Sequence, residues 1–172
     1  MGRVAADDER ALRILIGRHQ ARALGVAASI VRDASLAEDA VQSAFLDLYG
    51  ARARYRAEGR FRSYLYLLVM NRCRMMLRKR RALAVLTLGL MHTPQAPAVS
   101  PLDRALDDDE GRAVRAAIDD LPSAKREVVV LRYMGDLSLD EIARALDVPL
   151  GTVKSRLHAA LGELQTRLEG AR

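Results

Sequence analysis

The chain has 172 residues, half of them apolar, and its seven aromatic residues include no tryptophan. This composition excludes a disordered chain, and the single cysteine, Cys73, excludes an intramolecular disulfide and a cysteine-rich metal site. The net charge of +6 is unevenly distributed, since residues 52–81 carry 11 basic side chains and 1 acidic side chain. Such a concentration of positive charge favours a polyanionic partner.

No apolar run reaches the roughly 18 residues that a membrane-spanning helix needs. No signal peptide precedes the first predicted helix, so we expect a cytoplasmic protein without membrane insertion. Helical periodicity runs through nearly the whole sequence, and it contains no alternating run of useful length and no Asn-Gly hairpin turn. The sequence therefore predicts an all-α fold, and its length allows two small helical domains.

The first predicted helices cover residues 7–31, as one or two amphipathic segments, and residues 37–50. His19 stands alone in the first segment, and we assign it no chemistry. The helix of residues 37–50 has an apolar stripe and, apart from it, a polar face made of Glu38, Asp39 and Gln42. The simplest account of the two carboxylates is that they favour the positive N-terminus of the helix.

A helix of residues 61–81, FRSYLYLLVMNRCRMMLRKRR, follows a basic connector, ARARYRAEGR. One face of this helix is apolar and is predicted to join the core. The opposite face carries Tyr64, Leu67, Asn71, Arg74 and Arg78. Arginine binds phosphates, an aromatic ring stacks on a base, and asparagine hydrogen-bonds a base edge. This face predicts a nucleic-acid surface, with a solvated basic helix as the alternative.

Residues 82–110 are predicted to be a linker between two domains. Pro94, Pro97 and Pro101 forbid a continuous helix there. The first part of the linker, Leu83 to Met91, is apolar, and it either extends the preceding helix or lies against a partner. An acidic run at residues 107–110 is predicted to open a helix that continues to Ile118.

The stretch LSLDEIARALDVPLGTVKSRLHAALGEL, residues 137–164, predicts two helices joined by a tight corner at Asp147-Val148-Pro149, where Pro149 stops the first helix. Ser138 and Glu141 have the spacing of a capping box, and Ser123 is a candidate N-cap for a helix further upstream. The inward stripe of the second helix is predicted to be Val153, Leu157, Ala160, Leu161 and Leu164, with Lys154, Ser155 and His158 pointing outward. A helix-turn-helix places such a second helix in the DNA major groove. An ordinary helical hairpin is the alternative.

The sequence shows no catalytic constellation. Its three histidines, His19, His92 and His158, are scattered, and neither a glycine-rich phosphate loop nor paired carboxylates with a base are recognisable. We therefore predict that the protein is not an enzyme and that it has no metal and no cofactor.

Two stretches resemble one family in the same order. LPSAKREVVVLRYMGDLSLDEIARALDVPLGTVKSRLHAAL resembles domain four of bacterial sigma factors, and AEDAVQSAFLDLY with FRSYLYLLVMNRCRMMLRKRR resembles their domain two. With a short linker between them, the pair resembles an extracytoplasmic-function, or group four, sigma factor of the sigma-70 family. The resemblance implies sigma domain two in residues 1–81, the linker in 82–110, and sigma domain four in 111–172.

The resemblance also implies roles for single positions. Glu38, Asp39 and Gln42 match the helix that docks on the β′ coiled coil of the polymerase, whose β flap binds domain four. Two sets of residues match positions that contact the promoter. The set that matches melting of the −10 element is Tyr55, Arg60, Tyr64, Asn71, Arg74 and Arg78. The set that matches reading of the −35 element is Thr152, Lys154, Ser155, Arg156 and His158. The implied partners are core RNA polymerase, duplex and single-stranded promoter DNA, and an anti-sigma factor, with no small-molecule substrate.

The length of the linker fits this role. At about 3.3 Å per extended residue, residues 82–110 reach at most on the order of 100 Å. Promoter elements about 17 base pairs apart are separated by roughly 60 Å. Two other functions remain open from the residues alone. One is a stand-alone helix-turn-helix regulator of the response-regulator output type, and the other is a helical adaptor that binds proteins only.

Overall fold

The computed structural model describes residues 8–55, 60–86 and 109–169. Within these ranges every regular element is a helix, which confirms the all-α prediction. The seven helices are α1 (Glu9–Val31), α2 (Ala34–Gly50), α3 (Phe61–Leu86), α4 (Asp109–Asp119), α5 (Ser123–Tyr133), α6 (Leu139–Leu146) and α7 (Leu150–Glu169). Below, α1–α3 are the N-terminal unit and α4–α7 are the C-terminal unit.

Short polar side chains end and restart the helices of the N-terminal unit. Asp8 caps α1 by accepting a hydrogen bond from the amide of Ala11 at 2.9 Å. Arg32 then adopts a left-handed conformation with φ of 57°, which ends α1, and Asp33 caps α2 by accepting from the amide of Leu36 at 3.0 Å. This tight corner folds α2 back onto α1. It is shorter than the predicted break at residues 32–36, because α2 already begins at Ala34.

The three helices of the N-terminal unit share one apolar core. Its fully buried members include Val26, Val31, Leu48, Leu65, Val69 and Met70. The thiol of Cys73 lies in this core with no exposed surface, and burial, together with the nearby carboxylate of Glu127, raises its pKa to about 12. Helix α3 continues to Leu86, so the first residues of the predicted linker are helical. The rest of the linker, residues 87–108 with its three prolines, lies outside the described residues.

The helix-turn-helix of the C-terminal unit consists of α6 and α7. The predicted capping box is present, because Ser138 Oγ accepts from the amide of Glu141 at 3.2 Å and the Glu141 carboxylate accepts from the amide of Ser138 at 2.8 Å. Asp147 ends α6 in a left-handed conformation with φ of 54°. The Ser123 prediction was wrong: Pro122 is the N-cap of α5, and it makes no side-chain capping hydrogen bond because proline has no side-chain acceptor.

The two units pack against each other. Helix α6 lies along α3, α5 contacts α1, and buried residues from both units form one continuous apolar cluster. In the C-terminal unit, this cluster includes Val130, Leu131, Leu137, Ile142 and Leu146. A smaller cluster around Leu121, Val129 and Ala160 ties α4 and α5 to α7.

The loop before α6 leaves no room for a side chain at Gly135. A Cβ at that position would lie 2.7 Å from the carbonyl oxygen of Leu131 and 3.0 Å from Cδ1 of Leu137. Because backbone atoms cannot move aside easily, Gly135→Ala should lower the free energy of unfolding by about 1–3 kcal/mol. Urea denaturation followed by far-UV circular dichroism measures this change.

Gly162→Ala is the matched control, because a Cβ there meets nothing within 4 Å on the surface of α7. It should stabilise the protein by up to about 1 kcal/mol through the better helix propensity of alanine. Equal losses of stability for the two variants would contradict the steric explanation for Gly135.

Candidate nucleic-acid interface

The predicted recognition positions lie on the first turns of α7. Val153 and Ala160 are buried and fix the rotation of the helix, so Lys154, Ser155 and His158 point to solvent. Thr152 and Arg156 are half-buried at the edges of this face. Ser155 Oγ donates to the carbonyl oxygen of Thr152 at 3.1 Å, which leaves the hydroxyl oxygen able to accept. Side chains of this type can contact phosphates and base edges.

Leu161 differs from its prediction. It was placed in the inward stripe of α7, but 41% of its surface is exposed. Helix α7 packs on α4 and α5 through Ala160 and Leu164, and Leu161 lies beside this contact rather than in it.

The predicted −10 positions share the outer face of α3. Asn71 and Arg78 are exposed, and Tyr64 is half-buried. The structure brings the ring of Tyr55 within 5.5 Å of the ring of Tyr64, between centroids, at an interplanar angle of 43°. Arg60 is exposed immediately before the first turn of α3. The two rings together offer an aromatic surface at one end of a basic helix, which suits the stacking of unpaired bases.

Arg74 differs from the other positions on this face because its guanidinium is already engaged. Its Nε and Nη2 donate to the carboxylate of Glu127, on α5, at 3.1 Å and 2.6 Å. The Glu127 side chain is only 11% exposed, and this hydrogen bond raises the pKa of Arg74 above its ordinary value. A predicted DNA contact of the N-terminal unit is thus paired with a carboxylate of the C-terminal unit.

Sequence reasoning missed two further arginines of α3. Arg62 donates to the carbonyl oxygen of Gly135 at 3.2 Å and lies 3.8 Å from carboxylate oxygens of both Asp136 and Glu141. Arg72 forms a two-pronged pair with Asp47 on α2, and its Nε lies 2.6 Å from Oδ2. The hydrogen bond to Asp47 raises the pKa of Arg72. Neither pairing follows from spacing along the chain, because each depends on how two helices cross.

A groove of about 490 Å³ lies between α1 and α2. Glu38 and Gln42, two of the three predicted polymerase contacts, line it, and Asp39 is exposed nearby on α2. Leu46 also lines the groove, with 65% of its surface exposed. A solvent-facing leucine beside polar side chains is the arrangement of a protein interface, with an apolar centre and a polar rim. The sequence signal for Leu46 was its position outside the buried stripe of Val41, Phe45 and Leu48.

Positive charge also gathers in a cleft of about 190 Å³ where the two units meet. Arg32, Arg80, Arg81 and Arg126 line this cleft. Burial, and then the charge of Arg32, lower the pKa of Arg126, whose Nη2 donates to the carbonyl oxygen of Leu121 at 2.9 Å. Arg80 and Arg81 are exposed to solvent. The end of α3 therefore continues the basic surface that its outer face begins.

Among the described residues, no group of three or more His, Cys, Asp and Glu side chains is arranged to hold a metal ion. In the same ranges, no helix is long and apolar enough to cross a membrane.

A helix-turn-helix joined to a second helical unit with a basic, partly aromatic face defines a two-part DNA-binding protein. Comparison with known proteins identifies the family of DNA-binding proteins to which the chain belongs. Residues 15–83 match the family model "Sigma-70 region 2", and residues 111–164 match "Sigma-70, region 4".

Individual relatives agree with these family models. The chain is 32% identical to the ECF RNA polymerase sigma factor SigW of Bacillus subtilis over 140 residues, covering 77% of this chain and 75% of that one. It is 29% identical to the RNA polymerase sigma-H factor of Pseudomonas aeruginosa over 175 residues, covering 97% and 91% of the two chains. The protein belongs to the extracytoplasmic-function sigma factors of the sigma-70 family. It is an alternative sigma factor, which directs transcription initiation by RNA polymerase.

A solved structure shares the fold. The sigma factor RpoE of Bartonella quintana, in complex with the anti-sigma factor NepR, superposes with a TM-score of 0.71 at 21% sequence identity, covering 96% of this chain and 99% of that one.

Proposed function

We propose that this sigma factor uses two separate DNA surfaces, one for opening the promoter and one for reading it. The outer face of α3, with Tyr55 and Tyr64 at one end, melts the −10 element, and the exposed face of α7 reads the −35 element. The observation that supports this division is that Asn71 and Arg78, and Lys154 and His158, are exposed on two helices that belong to different units. The predicted domain boundaries at residues 81 and 111 belong to the same proposal.

The groove between α1 and α2 is proposed to receive the β′ coiled coil of core polymerase. Glu38 and Gln42 give it polar, partly acidic walls, and Leu46 gives it an apolar contact that water leaves on docking. An α-helical partner suits a groove between two helices, because side chains of a helix interdigitate with those of its neighbours.

An anti-sigma factor is proposed as a further partner, because the Bartonella neighbour was solved with one. We also propose that the chain acts in the cytoplasm as a polymerase subunit rather than as an enzyme. Pull-down of the tagged chain from its native host tests the anti-sigma proposal, and recovery of core polymerase without an inhibitor would contradict it.

In vitro transcription with purified core polymerase tests the proposal as a whole. Core plus this chain should initiate at promoters selected from a random library, and core alone should not. The family assignment already speaks against a stand-alone regulator and an adaptor, and both would fail in this assay. A chain that neither supports initiation nor binds core would overturn the proposal.

Asn71→Ala should impair promoter opening more than duplex binding, because its exposed amide is proposed to hydrogen-bond a base edge that only unpaired DNA exposes. Permanganate reactivity of the −10 thymines should fall about tenfold, while retention of the duplex by the holoenzyme stays within about twofold of wild type. Unchanged permanganate reactivity would contradict this role for Asn71.

Lys154→Ala should weaken holoenzyme binding to the −35 element about tenfold and flatten its salt dependence, because one charge contact to DNA is removed. Fluorescence anisotropy with a labelled −35 duplex, measured at several salt concentrations, checks this. Gln165→Ala, at an exposed position further along the same helix, is the control and should behave as wild type.

Leu46→Asp should reduce the affinity for core polymerase at least tenfold, because it replaces an exposed apolar side chain of the proposed docking groove by a charge. Ile14→Asp is the matched control, since Ile14 is 47% exposed on α1 and is not part of the groove lining. Calorimetry with purified core polymerase measures the affinity of each variant and compares the two. Wild-type affinity in both variants would show that the polymerase docks elsewhere.

A further inference from the structure

The cleft at the ends of α1 and α3 collects more positive charge than its lining carboxylate offsets. Arginines reach it from three directions: Arg32 directly follows α1, Arg80 and Arg81 lie towards the end of α3, and Arg126 lies in the first turn of α5. Among the described lining residues, the only carboxylate is that of Glu127. Four guanidinium groups thus share one small concave space with a single negative charge.

The carboxylates nearest to these arginines are already paired. Both oxygens of Glu127 accept hydrogen bonds from Arg74, which is not part of the cleft lining, at 3.1 Å and 2.6 Å. Asp119 forms an ion pair with Arg32 at 3.1 Å. The two arginines of α3 are exposed, and neither forms an ion pair within the described part of the chain. Most of the positive charge of the cleft therefore has no partner in the fold.

Arg126 is the most buried of the four arginines. Its Nη2 donates to the carbonyl oxygen of Leu121 at 2.9 Å, but its Nε is buried and no described group accepts a hydrogen bond from it. Burial, and then the charge of Arg32, lower the pKa of Arg126. A buried donor without an acceptor is costly, and a second cation nearby adds to the cost. A bound anion would supply both acceptor atoms and opposite charge.

The N-terminus of α5 adds to the positive potential of the cleft. Ser123, the first residue of this helix, lines the cleft, and Pro122 before it makes no side-chain capping hydrogen bond. The amides in the first turn of a helix have no partners within the helix and carry partial positive charge. Guanidinium groups and helix N-termini both bind phosphate in proteins, and the cleft offers the two together.

We propose that this cleft is a binding site for a small anion with two adjacent phosphate groups, either free pyrophosphate or the diphosphate end of a nucleotide. Its oxygens accept hydrogen bonds from the guanidinium groups of Arg32, Arg80, Arg81 and Arg126. The concave space of about 190 Å³ suits a compact anion rather than a DNA duplex. A diphosphate balances four positive charges better than a single phosphate does. Both sources occur where a sigma factor acts, because RNA synthesis consumes nucleoside triphosphates and releases pyrophosphate.

The proposed anion site is separate from the other proposed surfaces of the protein. None of the described residues that line the cleft belongs to the sets matched to the −10 element, the −35 element or the polymerase. Binding of a small anion can therefore be measured on the free chain, without DNA and without polymerase. A chain that is inactive in initiation would fail the proposed function without changing this result.

Calorimetric titration of the full-length chain with inorganic pyrophosphate tests the inference. The buffer has constant ionic strength and no divalent cations, because pyrophosphate binds them. Wild type should bind pyrophosphate at one site, and orthophosphate should bind at least about tenfold more weakly because it offers fewer oxygens to the guanidinium groups. Adenosine diphosphate, titrated in the same way, distinguishes the two sources, since the natural source of the diphosphate should bind more tightly.

Two double variants separate this site from overall charge. Arg80→Gln with Arg81→Gln removes two exposed cations of the cleft. Arg10→Gln with Arg13→Gln, the control, removes two exposed cations near the other end of α1. The site variant should bind pyrophosphate at least about tenfold more weakly than wild type, whereas the control should stay within about twofold, because distant surface charges are screened.

Thermal unfolding gives a second readout of the same site. Pyrophosphate should raise the unfolding temperature of wild type and of the control, because a ligand that binds only the folded chain stabilises it. The site variant should show a much smaller increase at the same pyrophosphate concentration. Arg126→Gln should also lose the increase, and if this variant does not fold, the two exposed arginines of α3 decide the question alone.

Three results would overturn the inference. The first is that wild type shows no binding of pyrophosphate. The second is an equal loss of affinity in the site variant and the control, because net charge would then explain the binding. The third is a site variant that keeps its affinity for pyrophosphate but binds a single-stranded oligonucleotide of random sequence more weakly, because the two arginines would then belong to the DNA surface.

Discussion

The helix α3 is the structural element on which both units depend, because it is packed from two directions. Leu65, Val69 and Cys73 face the core that α3 shares with α1 and α2. Its first turn contacts the C-terminal unit, where Ser63 meets Arg144 and Arg62 meets the Gly135–Asp136 corner. Helix α3 has many basic residues, and the parts of it that remain exposed are its outer face and its C-terminal end. A helix held from two sides keeps its few free side chains in a fixed direction, which a DNA contact requires.

The basic residues of α3 also explain why the units contact each other through charge. Several guanidinium groups on one helix repel each other, and each carboxylate brought near them lowers the free energy of the assembly. Within the N-terminal unit, the Asp47 carboxylate offsets this repulsion by pairing with Arg72. From the C-terminal unit, the Glu127 carboxylate offsets it by pairing with Arg74. The two ion pairs differ in whether they persist when the units separate. The first is internal to one unit and persists in any arrangement of the chain, whereas the second exists only while the units touch.

Local signals were enough to predict much of the fold. The capping box of Ser138 and Glu141, the corner at Asp147 and the outward direction of Lys154 and His158 all depend on residues within one or two helical turns, where periodicity and capping chemistry decide the structure. Leu161 was wrong because the burial of a helix face depends on neighbours distant in sequence. Ser123 was wrong because α5 begins one residue earlier than predicted, at Ser123 itself, with Pro122 as its N-cap. The pairing of Arg74 with Glu127, 53 residues away, could not be predicted from periodicity, because a helical wheel places a side chain on a face and does not identify what covers that face. The groove at Leu46 likewise is formed by side chains of both α1 and α2, which lie far apart in sequence and meet only in the fold.

The burial of Cys73 affects how this protein responds to oxidants. Burial and the nearby Glu127 carboxylate raise the pKa of this thiol to about 12, so very little of it is ionised at pH 7, and the thiolate is the form that attacks peroxide. Since this is the only cysteine of the sequence, the folded chain has no ready nucleophile for sulfenic acid formation or for a mixed disulfide. The thiol of Cys73 is therefore poorly placed to sense a redox stimulus, and among the described residues the exposed thioether of Met75 is more accessible to an oxidant.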